Sequence, residues 1–179
     1  LIRKTLATLL LTLTLLPVSA ADYFWVGGTG NWSDYGNHWS TTSGGTIFHN
    51  AIPSLNDHVY FDANSFTAAG QSVTFDNTFI YCLNMDFTGV QFNPSVNGLL
   101  SKLNVYGSLT LIPGMSWSVK RTDFAGTGSG LTLTTAGLPF DTLYFTGSGS
   151  YGLLDALNCK SVFINNGSFP EIYCFCSAV

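Results

Sequence analysis

The chain has 179 residues, of which 46% are hydrophobic, 15% aromatic and only 9% charged. Those proportions supply a packed core and exclude an intrinsically disordered polymer, and the length suits one domain after processing. Six Lys and Arg against ten Asp and Glu give a net charge of −4, without the clustered cations that phosphate neutralisation demands, so no nucleic-acid partner is expected.

Arg3 and Lys4 open the chain, an apolar run from Leu6 to Leu16 follows, and Pro17 ends it before Val18-Ser19-Ala20. That order of positive, apolar and small residues predicts a secretory signal peptide over Leu1–Ala20, with a secreted or cell-surface destination. The apolar run is shorter than the roughly 20 residues a membrane helix needs. No other stretch is long and apolar enough to span a bilayer, so no membrane span is expected after cleavage.

Beyond the leader, Gly, Thr, Ser, Asn and aromatic residues dominate, and strong helix formers are rare. Period-two apolar pairs recur: Val59/Phe61, Val73/Phe75, Leu83/Met85/Phe87, Leu103/Val105, Leu109/Leu111, Leu131/Leu133, Leu143/Phe145 and Val162/Ile164. Each predicts a short strand with one buried face. Several end at a glycine-bearing turn, as at Gly89, Gly107, Gly147 and Gly167. Leu109/Leu111 and Leu131/Leu133 lie 22 residues apart, and Leu143/Phe145 and Val162/Ile164 lie 19 apart. A repeat near that length predicts stacked coils. The expected fold is therefore all-β, a right-handed parallel β-helix, with a β-sandwich as the alternative. Asn97-Gly98 and Asn166-Gly167 are the candidate hairpin turns that a sandwich would use.

Residues 21–70 hold three of the four tryptophans and all three histidines. They are expected to form a Trp/Gly-rich capping segment over the first coil, with residues 71–179 as the repeat region, incomplete at its C-terminus. An uncapped coil there would expose strand edges and favour self-association. Cys82, Cys159, Cys174 and Cys176 allow three disulfide pairings or buried thiols. Cys174 and Cys176 fall on one face of a strand, which strains a bond between them.

The distinctive motif is Trp25-Val-Gly-Gly-Thr-Gly-Asn-Trp32-Ser-Asp-Tyr-Gly-Asn-His-Trp39-Ser40, followed by Pro53-Ser-Leu-Asn-Asp-His-Val-Tyr-Phe-Asp-Ala-Asn64 and a Phe61–Phe66 box. Together these resemble the opening of large secreted or cell-surface repeat proteins of Bacteroidetes. Weaker matches follow at Asn84–Thr88, Tyr106–Thr110 and Leu154–Leu157. The resemblance implies an adhesin-like, β-helical surface protein. It also implies chains that are far longer and often end in a sorting domain, which has no counterpart before Val179.

Three functional classes follow. The first expectation is an extracellular structural or adhesive module, without enzymatic activity or cofactor, whose partners are glycans or surface proteins. The second is a carbohydrate-binding module in which Trp25, Trp32, Tyr35 and Trp39 stack on sugar rings; packing of the same tryptophans beneath a cap is the competing use. The third is a polysaccharide-degrading enzyme built on Arg121 and nearby aspartates. No Asp-Asp pair accompanies it, and Gly126-Thr-Gly-Ser-Gly130 is not a nucleophile elbow. Asp57, Asp62 and Asn64 supply three oxygens for calcium but lack a calcium-loop spacing, and their expected work is to hold turns. His38, His49 and His58 lack zinc-ligand spacing, so no metal is expected.

Overall fold

Alternating small, β-branched and aromatic residues produce short strands that cannot bury their inner faces alone, so they stack. A computed structural model describes residues 20–167. The expected signal peptide up to residue 19, Cys174, Cys176 and the expected incomplete end lie outside the described residues.

The chain begins with β1 (Asp22–Trp25), β2 (Gly30–Asn31), one helical turn α1 (Tyr35–His38), and β3 (Trp39–Ser40). It continues with β4 (His58–Tyr60), β5 (Ser72–Thr74), β6 (Phe79–Cys82), β7 (Met85–Asp86), β8 (Ser95–Val105) and β9 (Leu109–Thr110). It ends with β10 (Ser116–Phe124), β11 (Leu131–Thr134), β12 (Pro139–Phe145), β13 (Tyr151–Leu153) and β14 (Asn158–Ile164).

From β6 onward successive strands alternate between two sheets. Sheet A has the order β13-β11-β9-β7-β4-β1-β3, and sheet B has the order β14-β12-β10-β8-β5-β2, with β6 also on β8. Among the described residues every named strand pair is parallel except β1–β3. Parallel ladders between strands one coil apart make a β-solenoid and exclude a sandwich of antiparallel sheets. Strands β1, β2 and β4, from the Trp/Gly-rich segment, belong to the same two sheets. Strand β3 turns back antiparallel along the far edge of β1, pairing Trp25 with Trp39.

Register places like on like. On sheet A, Tyr23, Val59, Met85, Leu109, Leu133 and Leu153 form one inward column, each paired with the next. On sheet B, Ile80, Leu103, Thr122, Leu143 and Val162 form another. Leu143 pairs with Val162 and Phe145 with Ile164, as the 19-residue spacing predicts. Leu109, however, pairs with Leu133 and not with Leu131. The slip is two residues, so the inward face is preserved and only the coil length changes. Asn97-Gly98 is not a turn but lies inside β8, where a Cβ on Gly98 would come 2.9 Å from the Phe75 ring.

Loops between strands are fastened by aspartate. Asp57 accepts from the amides of Ala21 at 3.0 Å and Ser54 at 2.8 Å, tying the chain start to a turn. Asp155 accepts from the Thr135 amide at 2.8 Å and binds the Ala136 amide, where φ is +55°. These bonds satisfy amides that the ladders leave over.

Tyr151 offers a test of the interior. Its hydroxyl is buried and accepts the Gly126 amide at 3.1 Å. Burial pushes its pKa up to about 12. A phenol whose folded pKa lies above its unfolded value, near 10, adds stability that is full below pH 10 and is lost as pH rises towards 12. Burial raises the Cys82 thiol in the same sense. Tyr151→Phe should cost about 1–2 kcal/mol at neutral pH by leaving the Gly126 amide unmatched. The gap to the wild type should narrow between pH 10 and 12 in urea melts at stepped pH, and a constant gap would contradict this account.

Candidate functional site

The chemistry-bearing residues gather on the outer face of sheet B. Strand alternation breaks where the register of β10 against β8 shifts between Val119 and Arg121. The irregularity lets Lys120 and Arg121 both reach the outer face, while Thr122 and Phe124 resume the inward positions. Along the next coils Asp141 on β12 and Lys160 on β14 occupy the same column as Lys120.

Two carboxylates organise this face. Asp123, only 2% exposed, accepts Nε of Arg121 at 2.6 Å, Nη2 of Arg121 at 2.9 Å and Nζ of Lys102 at 2.7 Å. That bond to Asp123 is the main reason the guanidinium is held above its ordinary pKa. The guanidinium also lies 3.8 Å from the centre of the Tyr144 ring, which stacks on Phe163 at 4.6 Å. One column over, a single oxygen of Asp141 accepts Lys120 Nζ at 2.8 Å and Lys160 Nζ at 3.4 Å. The Lys120 hydrogen bond chiefly, with Lys160 behind it, holds the Asp141 carboxyl below the usual carboxylate range.

Lys102, Lys120, Arg121 and Lys160 are all the lysines and arginines among the described residues. Each of the two carboxylates on this face is shared by two cations, so the face carries a surplus of two positive charges. The other seven aspartates lie on other strands and turns, where several serve the backbone: Asp62 holds the Asn64 amide and Asp86 the Thr88 amide. Asp76 accepts from the Ser33 hydroxyl.

A groove of about 310 Å³ opens beside the Lys120–Asp141–Lys160 column. Leu99, Trp117, Pro139 and Phe140 form its apolar wall. Trp117 is nearly buried, and its Nε1–H has no acceptor within the protein. A second groove, of about 470 Å³, adjoins it across Leu99. Leu99 and Leu100 stand out between the two, 68% and 95% exposed.

The expected tryptophan site is arranged differently. Trp25, Trp32 and Trp39 are fully buried, and Trp39 meets Trp25 and Trp32 edge-on at 4.9 and 4.7 Å. Their indoles therefore present no ring to a sugar in this structure. Trp25 Nε1 donates to Gly28 O at 2.8 Å and Trp39 Nε1 to Trp32 O at 2.9 Å. Trp25 also stacks on His38 at 4.4 Å, whose Nδ1–H donates to Val26 O. Tyr35, on α1, is the one member with an exposed ring.

The residues weighed for calcium are bound to their own loops, and His58 Nδ1 accepts Asn84 Nδ2 at 2.9 Å. Among the described residues no group of three or more His, Cys, Asp or Glu is placed to hold a metal. Sequence reasoning reached Arg121 and its aspartates but not Lys102, Lys120, Lys160 or Trp117. The available signal was the spacing of Lys120, Asp141 and Lys160, one coil apart in each case. No helix among the described residues is long and apolar enough to cross a membrane. No protein family, curated protein or solved structure matches the chain.

Proposed function

We propose that the chain is an extracellular adhesive module of a secreted or cell-surface protein, a β-solenoid that presents the outer face of sheet B to its partner. The segregation of charge carries this reading: the cations stand together on one face, and most carboxylates fasten turns elsewhere. The leader-like segment and the resemblance to adhesin-like surface proteins support the location.

The same face bears on the enzymatic alternative. A lyase needs cations free to neutralise a substrate carboxylate and a group free to take a proton. Arg121 is instead clamped by both oxygens of Asp123 and covered by Tyr144. That arrangement favours binding over bond cleavage, and we read the module as non-catalytic.

Location is tested by adding protease to intact source cells and blotting with an antibody raised against residues 20–167. The band should disappear while a cytoplasmic marker survives, or be found in the culture supernatant. Protection of the chain until the cells are lysed would overturn the reading.

A further inference from the structure

We propose that the groove beside Lys120 and Lys160 is a binding site for a carboxylated glycan, a chain containing uronic acid units; this rests on the adhesive reading and names its ligand class. A uronate unit combines an apolar face of C–H groups with a carboxylate and hydroxyls. The groove offers the complement of each. Leu99, Pro139 and Phe140 provide the apolar wall. Lys120 and Lys160 provide ammonium groups that share one oxygen of Asp141. An ammonium has three donors, so each retains N–H groups for an incoming carboxylate after Asp141 is served. Ser118, also in the lining, adds a hydroxyl.

An extended acidic peptide is the competing occupant of this place, and titration with hexaglutamate decides between the two. A peptide recognised by strand addition needs a free sheet edge. At the groove the ladder from β10 to β12 has not yet begun: it runs from Arg121 with Thr142 to Phe124 with Phe145, while the lining comes from Trp117–Lys120 and Pro139–Asp141. The side chains favour a ring-and-hydroxyl ligand over a peptide, since an apolar wall faces two ammonium groups and a hydroxyl. Charge gives the direction of approach. The surplus positive charge lies on this face of an otherwise acidic chain, so a polyanion is steered here and repelled elsewhere. Lys120 and Lys160 are 59% and 76% exposed, so the attraction is open to screening and affinity should fall with added salt.

The test is calorimetric titration of the full chain with a galacturonic-acid hexasaccharide, a neutral galactose hexasaccharide and hexaglutamate. The acidic glycan should bind, and the other two should bind at least tenfold more weakly. Lys120→Gln combined with Lys160→Gln should lower affinity for the acidic glycan at least tenfold, with an unchanged thermal melt showing the fold intact. Tyr35→Ala should leave affinity unaltered. Three outcomes overturn the site: no binding of the acidic glycan, equal binding of hexaglutamate, or affinity that survives the double lysine change or falls with Tyr35→Ala. If the double variant melts early, Lys160→Gln alone, at the more exposed position, decides by the same criterion. Absence of binding by a chain that protease removes from intact cells sinks the ligand assignment and leaves the surface reading. A chain protected inside cells sinks the surface reading, while the titration still reports on the groove.

Discussion

Trp39→Ala should destabilise the protein by about 3–5 kcal/mol, the loss expected when a large buried aromatic is truncated. Trp39 has no exposed surface and sits at the centre of the N-terminal cluster. Its ring touches Tyr23, Trp25, Trp32 and Phe61 at centroid distances between 4.7 and 6.0 Å. Truncation removes all four contacts, and it also strips Trp32 O of the donor that Nε1 supplies. Strand β3 is then held chiefly by backbone bonds, its two-residue pairing with β1 on one side and the Ser40–Phe48 bridge on the other. Tyr35→Ala, four residues away on an exposed ring, should change stability by no more than about 0.5 kcal/mol. Denaturant titrations of the two variants check the contrast. Equal, small losses would mean that the tryptophans do not form the packed cluster described.

Gly147→Ala should cost about 3 kcal/mol, although it adds one methyl group. A Cβ at Gly147 would overlap the Gly126 carbonyl oxygen and come 2.6 Å from Ala125 O. These are backbone atoms of the preceding coil and cannot rotate away as a side chain can. The amide of Gly147 is meanwhile bound to Phe124 O at 3.1 Å, and that of Gly149 to Gly126 O at 2.9 Å, so relief of the clash breaks bonds between coils. Overpacking of this kind costs roughly 1–3 kcal/mol in ordinary cores, and the rigidity here favours the upper end. Gly152→Ala is the comparison, because its Cβ would meet nothing closer than Leu131 O at 3.8 Å. Urea melts should separate the two variants. A Gly147→Ala protein as stable as the wild type would show that the coils are not so closely stacked there.

The contrast between these sites explains what the sequence discloses. Inward faces were legible because they depend on period two, which any strand displays locally, and so Val59, Leu103 and Leu143 are recognisable as core without knowledge of their neighbours. Coil length was legible only where both flanking turns have similar size, as between Leu143 and Val162. Between β9 and β11 the connection holds the long β10 and a glycine-rich turn, and the two-residue slip there leaves no mark on the apolar pattern. Asn97-Gly98 has the residues of a tight turn, yet its strand continues because Phe75 and Val119 occupy the space a side chain would take. The tryptophan spacing announced an aromatic cluster, but spacing cannot say whether indoles face inward or outward; that is settled by the pairing of Trp25 with Trp39. The cationic face was hidden for a different reason. Lys102, Lys120, Arg121 and Lys160 are spread over three coils, and they meet only after the ladders bring β8, β10, β12 and β14 side by side.

Stacking by parallel ladders also fixes how the molecule answers to tension. The inter-coil hydrogen bonds run along the solenoid axis, so a pull between its ends loads one ladder at a time and not the whole core at once. Along sheet A the paired positions Val59, Met85, Leu109, Leu133 and Leu153 are 26, 24, 24 and 20 residues apart. Each coil that peels away therefore pays out on the order of 70–90 Å of slack chain. A solenoid built in this way lengthens in discrete steps and dissipates work at every one, so the peak force it transmits stays limited while its coils yield in turn.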